Sequence, residues 1–189
     1  SGIRARGEAP ARAWSRRGAA AAAAALVAAL GSWSRPLAGV SWSASDAGVE
    51  VLIIETGLGG RKDATRSGPA TACLITSVSA EHSDILGDSL PQIAKEKAAI
   101  SRPNCPILIR HPTNEKVEQA MLDEVQSAGQ TALGEHQAPA VPTLIEIPPG
   151  ASVRDEGRIL ATSLLQKVGL PTSAMGEAFD QVRWPARMQ

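Results

Sequence analysis

A chain of 189 residues is long enough for one ordinary α/β domain with a sizeable core. Hydrophobic residues make up 43% and charged residues 20%, which is a soluble globular composition. Nineteen basic and nineteen acidic residues cancel, so the one-sided basic field that nucleic acid or a membrane surface would require is missing.

Along the chain, the first predicted element is a helix from about Arg12 to Leu30, built mostly of alanine. Its apolar run, Ala19 to Leu30, is shorter than the roughly 18 to 20 residues that span a bilayer. The arginines before it (Arg12, Arg16, Arg17) give it some look of a transit peptide, but an alanine-rich surface helix is the plainer reading. A turn-rich stretch with Trp33 and Trp42 follows. From residue 49 the character changes. Val49 to Glu55 is a short β-branched run that suits a strand buried on both faces. Ala72 to Ser79 and Cys105 to Arg110 are the next predicted strands, with a helix from Leu90 to Ser101 between them and Pro91 tolerated in its first turn. A helix from Asn114 to Ala128 keeps Val117, Met121 and Val125 on one face. Pro142 to Ile147 is a fourth candidate strand, and Arg154 to Val168 and Thr172 to Val182 are further helices. Strands alternating with helices predict an α/β fold, a parallel sheet flanked by helices. The division expected is an N-terminal helical and loop segment over 1–48 and an α/β domain over 49–189.

Chemistry-bearing residues gather after the first two predicted strands. Glu55 precedes Gly57, Gly59 and Gly60, which places it at the carboxyl end of a strand, where open α/β sheets bind ligands. A carboxylate there is either a cation ligand or the partner of a nearby arginine such as Arg61. The second strand runs on to Thr76, Ser77, Glu81 and His82, putting a nitrogen ligand on the same rim. In the following helix Leu90, Ile93, Ala94, Lys97 and Ala98 occupy the i, i+3, i+4, i+7, i+8 positions of a buried face. Lys97 therefore lies on the apolar side, where a charged amine needs a partner, a lowered pKa or covalent modification. GLGGR is not a phosphate loop by spacing, so its glycines let the backbone pass close to a ligand or neighbour. Cys73 and Cys105 sit in apolar runs without metal-ligand spacing and read as buried thiols.

Taken together, IETGLGGRKDAT (54–65), LITSVSAEHSDILGDSLPQIAKEKAAI (74–100) and the terminal WPARMQ (184–189) resemble the folylpolyglutamate synthase and dihydrofolate synthase family, a branch of the Mur ligase superfamily. The forms usual there are EVGLGGRLDATN, ITSIGLDH, IAxEKAGI and WPGR. The likeness is close over 49–110, and IRARGEAP (3–10) looks more loosely like that family's IRINGEPI. The resemblance implies an incomplete Mur-ligase-like central domain. It implies ATP and Mg²⁺ as cofactors, with Glu55 and His82 as metal ligands, Lys97 as a carbamylated catalytic lysine, and Lys62, Asp63 and Ala64 against a pterin-bearing substrate. Glu55, His82 and Lys97 are then expected in one pocket on the rim. The partners implied are dihydropteroate or folate, L-glutamate and ATP, acting on a monomer with neither nucleic acid nor membrane. The compartment the resemblance leads one to expect is the cytoplasm, with mitochondrion or plastid as the alternative.

Departures from the family pattern carry their own expectations. No G-x-x-G-K-S/T occurs in the chain, and nothing like the glutamate-binding C-terminal domain follows WPARMQ. Lys62 stands where the family has leucine, Arg66 where it has asparagine, and Ala80 with Glu81 where it has Leu-Asp. The chain is therefore expected to be a partial copy that cannot turn over ATP alone. A non-catalytic remnant serving as a binding or scaffold domain is the alternative, and an unrelated α/β metal hydrolase is a third class.

Overall fold

The structure is a computed structural model that describes residues 51–68, 70–131, 140–173 and 175–181. The helix expected over 12–30, Trp33, Trp42, the IRARGEAP stretch and WPARMQ lie outside these residues. Among the described residues three parallel strands form one sheet: β1 (Cys73–Ile75), β2 (Ile107–Arg110) and β3 (Pro142–Ile145), in the order β1-β2-β3. Cys73 lies opposite Ile107, and Ile107 opposite Pro142, so β2 is hydrogen-bonded on both sides. Ile107, Leu108 and Ile109 are accordingly the most buried strand residues, each at 1% exposure or less. Pro142 lacks an N–H and sits at the start of β3, where no ladder bond is lost.

Among the described residues five α-helices alternate with the strands: α1 (Ser83–Leu86) and α2 (Leu90–Ala98) after β1, α3 (Glu115–Thr131) after β2, and α4 (Val153–Lys167) and α5 (Met175–Gln181) after β3. Local chemistry sets their starts. The Ser89 N–H donates to Gln92 Oε1 at 3.1 Å before α2. Asn114 Oδ1 accepts from the Lys116 and Val117 N–H groups before α3, and Ser152 Oγ from the Asp155 N–H before α4. On one sheet face Cys73, Ile75, Ile107 and Ile109 pack with Ala94 and Ala98 of α2 and Val117, Met121 and Val125 of α3. Leu108 points to the other face, which α4 covers, and a second core joins α4 to α5 through Ala161, Leu165, Met175 and Phe179. Helices thus flank the sheet on both sides, as the alternation of elements predicts.

One predicted strand is corrected. Residues 51–56 join no ladder, and Val49 and Glu50 lie outside the described residues. Val51 and Ile53 rest on the second core while Leu52 and Ile54 are 41% and 40% exposed. A hydrophobic run covered on one side only cannot be a strand buried on both faces, so Glu55 does not end a strand of this sheet. The second predicted strand, Ala72 to Ser79, is also shorter than expected at Cys73–Ile75, and α1 lies where no element was predicted.

Candidate active site

The glycine-rich segment after residue 55 is held by a single carboxylate. Asp63 Oδ2 accepts from the Gly57 N–H at 2.8 Å and the Leu58 N–H at 3.2 Å, and Oδ1 accepts from the Thr65 N–H at 2.9 Å. That last bond caps a short 3-10 turn, Ala64–Ser67. Burial works against the charged form, but the donations from Thr65, Leu58 and Gly57 outweigh it and hold the Asp63 carboxyl below its ordinary range. Lys62 and Ala64, on either side, are exposed. The loop is seated by Gly60, where a β-carbon would lie 2.7 Å from the Lys97 carbonyl oxygen, 2.8 Å from the Ile100 N and 2.9 Å from the Glu96 carbonyl oxygen. Only glycine lets the loop touch the end of α2 this closely. Gly59, at φ +65°, takes a left-handed turn over Leu86 of α1.

Arg61 completes the seat. Its Nε lies 2.8 Å from Glu96 Oε1 on α2, and its Nη2 lies 2.9 Å from Glu124 Oε1 on α3. Glu124 is 3% exposed, so the guanidinium neutralises a buried carboxylate. The hydrogen bond to Glu124 and then that to Glu96 raise the Arg61 pKa further above its already high value. Arg61, offered by the sequence as a partner for Glu55, is bound instead to these two glutamates. Glu124 was missed, although it falls on the Val117, Met121, Val125 stripe, where a carboxylate among apolar neighbours announces an ion pair.

The remaining predicted residues sit on elements that this loop draws together. Glu55 is exposed and leads into the loop. His82 is exposed, at φ 56°, in the N-cap position of α1, and both Glu55 and His82 have interactions of their own. Lys97 lies in the last turn of α2 and is half-buried, while Ile93, Ala94 and Ala98 of the same face are buried and Leu90 is 37% exposed. The expected apolar stripe is therefore open at both Leu90 and Lys97. Loop, α1 and α2 touch through Gly59 with Leu86 and through Gly60 with the Lys97 carbonyl.

The carboxyl edge of the sheet carries a second cluster. A cavity of about 480 Å³ is lined by Arg110, His111, Thr113, Glu115, Glu118 and Glu146, among others. A smaller one of about 110 Å³ lies between Ile75, Ser77, Leu90 and Val117. Neither is lined by Glu55, His82 or Lys97. His111 bridges two carboxylates, Nε2 at 3.0 Å from Glu118 Oε2 and Nδ1 against Glu146 Oε1. Arg110 makes a forked pair with Glu156 of α4 at 2.6 and 3.1 Å. These residues were missed too; their only sequence signal is the position of Arg110 and His111 at the end of a buried strand.

Among the described residues no group of three or more His, Cys, Asp or Glu side chains could hold a metal ion. A site for a hard divalent ion would draw on Glu55, His82 and Lys97. One carboxylate and one imidazole suit Mg²⁺ when water or phosphate oxygens complete the shell. An ammonium repels the ion, so Lys97 fits only after carbamylation, when it offers anionic oxygen. No helix among the described residues is long and apolar enough to cross a membrane.

No family model matches the chain. Individual relatives do. The chain is 46% identical over 78 residues to a dihydrofolate synthase/folylpolyglutamate synthase of Haemophilus influenzae, covering 41% of this chain and 17% of that protein. It is 30% identical over 169 residues to a probable bifunctional folylpolyglutamate synthase/dihydropteroate synthase of Halobacterium salinarum, covering 78% of this chain and 21% of that one. The chain thus spans about a fifth of the length of these curated relatives. Its fold is shared with the apo form of L. casei FPGS, with TM-score 0.67 and 16% identity over 92% of this chain and 62% of that one. It is shared also with E. coli FolC in complex with DHPP and ADP, with TM-score 0.65 and 18% identity over 92% and 56%.

Proposed function

We propose that this chain belongs, over the stretch it shares with its relatives, to the folylpolyglutamate synthase and dihydrofolate synthase family, and that it forms the central part of an ATP-dependent ligase joining L-glutamate to the carboxylate of dihydropteroate or folate. The observation that supports the reading best is the contact of Gly60 with the Lys97 carbonyl. It joins the two sequence motifs that resemble the family most, GLGGRKDA and IAKEKAAI, into one structural unit.

In this reading the loop of Lys62, Asp63 and Ala64 faces the pterin-bearing substrate. Asp63 acts on it indirectly, because both its oxygens are engaged within the loop and fix the positions of Lys62 and Ala64. Glu55 and His82 would hold Mg²⁺, and the chemistry the ion would supply when bound is charge neutralisation for phosphoryl transfer to the substrate carboxylate. The Lys97 amine would add CO₂ and release a proton, becoming a carbamate whose anionic oxygens would help hold the ion. The acyl phosphate formed from ATP is then attacked by the amine of glutamate, and phosphate leaves. Residues 49–189 are the α/β ligase portion in this proposal and residues 1–48 its N-terminal segment, acting as a monomer.

The test is a glutamate-ligation assay with ATP, Mg²⁺ and either dihydropteroate or tetrahydrofolate. It is run on this chain, on a version extended upstream and downstream, and on the extended Lys97→Ala variant. Ligation by the extended protein, lost in the variant and partly restored by short-chain carboxylates, is the expected result. An extended protein inactive on both pterins would overturn the ligase reading and favour a non-catalytic binding domain.

A further inference from the structure

The Cys73 and Cys105 side chains, 32 positions apart, meet in the core with their Sγ atoms 4.0 Å apart. Both cysteines are free and buried. Cys73 is the first residue of β1, and its N–H donates to the Pro106 carbonyl at 2.9 Å, which brings the residue before Pro106 alongside it. The Cys73 thiol lies 3.8 Å from the Ile100 carbonyl oxygen, and the Cys105 thiol 3.5 Å from that of Ala70. A disulfide has an S–S length of about 2.05 Å, so the gap must shorten by about 2 Å, within the sweep of a cysteine side chain about its Cα–Cβ bond.

The two sulfurs are not equivalent. The hydrogen bond from Cys73, and the nearby charge of Arg102, hold the Cys105 thiol below its ordinary range against the opposing effect of burial. The hydrogen bond to Cys105 and burial push Cys73 the other way. Arg102 reaches the Thr65 carbonyl oxygen through Nη2 at 2.6 Å, while its Nε is buried with no hydrogen-bond partner among the described residues. A cationic group left short of an acceptor beside two thiols favours a thiolate there.

We propose that Cys73 and Cys105 form a hydroperoxide-reactive dithiol that closes to an intrachain disulfide, Cys105 attacking and Cys73 resolving. The Cys105 thiolate attacks one peroxide oxygen and the O–O bond breaks. Cys105 becomes a sulfenic acid, and the other oxygen leaves as hydroxide, which takes up a proton to become water. The Cys73 sulfur then attacks Cys105 Sγ. The S–S bond forms, the S–O bond breaks, and the sulfenic oxygen leaves as a second water carrying the Cys73 proton. Two thiols are oxidised by two electrons and one peroxide is reduced to two waters. Hydrogen peroxide itself, scarcely larger than water, suits thiols this buried. The closed loop encloses α1 and α2, and hence His82 and Lys97, so oxidation would tie the start of β1 to the turn before β2 around those residues.

Folded protein is exposed to hydrogen peroxide, then alkylated under denaturing conditions and weighed intact. The expected product is a monomer lacking both free thiols and lighter by two hydrogens, restored by dithiothreitol. Cys73→Ser should instead accumulate a sulfenic acid that dimedone captures, and Cys105→Ser should form no intrachain disulfide and react more slowly, because burial still disfavours the remaining Cys73 thiolate. Wild-type protein that keeps both thiols, that forms only intermolecular dimers, or that gains oxygen on methionine alone would overturn the proposal. The wild-type measurement decides even if either variant folds poorly.

Discussion

Two clusters of one cation between two glutamates fasten the same helix, and they differ in almost every other respect. Arg61 links Glu96 and Glu124, and His111 links Glu118 and Glu146; Glu124 and Glu118 both belong to α3. The Arg61 cluster encloses a carboxylate that is 3% exposed, whereas Glu146 in the His111 cluster is 77% exposed. The difference follows from which cation each can use. A guanidinium stays charged at every working pH, so a glutamate can be buried against it without risk of losing its partner. An imidazole is charged only below its pKa, so carboxylates that depend on it must remain near water. Helix α3 is thus fastened permanently to the glycine loop and conditionally to the end of β3.

The largest effect should come from breaking the permanent fastening. Arg61→Ala leaves Glu124 buried and uncompensated, a situation that costs 3 to 5 kcal/mol in a fully buried pair. Arg61 is itself 37% exposed, so we expect about 3 kcal/mol, read as a lower urea midpoint with unchanged slope. Adding Glu124→Gln should recover part of it. A loss below about 1 kcal/mol would show that water, not Arg61, serves the Glu124 carboxylate, and the contrast between the clusters would fail. Gly60→Ala comes next. Its methyl would meet backbone atoms at 2.7 to 2.9 Å, and backbone cannot swing aside as a side chain can. About 2 kcal/mol is expected. Because the displaced loop carries Arg61, the two substitutions together should cost less than their sum, a coupling that a double-mutant cycle measures.

How much of this was legible depends on whether a residue's role is set by its own neighbours in sequence. The stripe of Val117, Met121 and Val125 announced the buried face of α3, and Ile107, Leu108 and Ile109 announced the central strand, since period and length identify such elements. Val49 to Glu55 has the same hydrophobic character as β2 but joins no ladder over its described residues. Hydrophobicity says that a segment is covered, not that a strand lies beside it. The likeness of GLGGR and EKAAI to a family was visible early, whereas the reason for Gly60 appears only when the end of α2 lies against it. His111, Glu118 and Glu146 were invisible as a group because the third partner is 35 positions away, on another strand. The thiol contact was hidden for the same reason. Each cysteine looks like a small core residue until β1 and the turn before β2 are placed side by side.

The smallest and most diagnostic effect belongs to the conditional fastening. The Glu118 hydrogen bond, opposed by desolvation and helped by Glu146, raises the His111 pKa above its ordinary 6.5. The groups facing the ring are Glu118 and Glu115 from α3 and Glu146 after β3, while Arg110 of β2 is taken up by Glu156. A raised folded-state pKa fixes the sign. Stability from the protonated bridge is fully present below about 6.5 and is lost as pH rises through the higher folded value. The imidazole resonances should therefore titrate with a midpoint above 6.5. His111→Gln should flatten the fall in stability that begins above about pH 6.5, while changing little where the imidazole is already neutral. The loss caused by Arg61→Ala should be the same with or without His111→Gln, because the two clusters share a helix but no partner. A midpoint at or below 6.5 would mean that the carboxylates do not hold the ring in solution. A non-additive pair would mean that α3 transmits one fastening to the other, and the two clusters would then be one device rather than two.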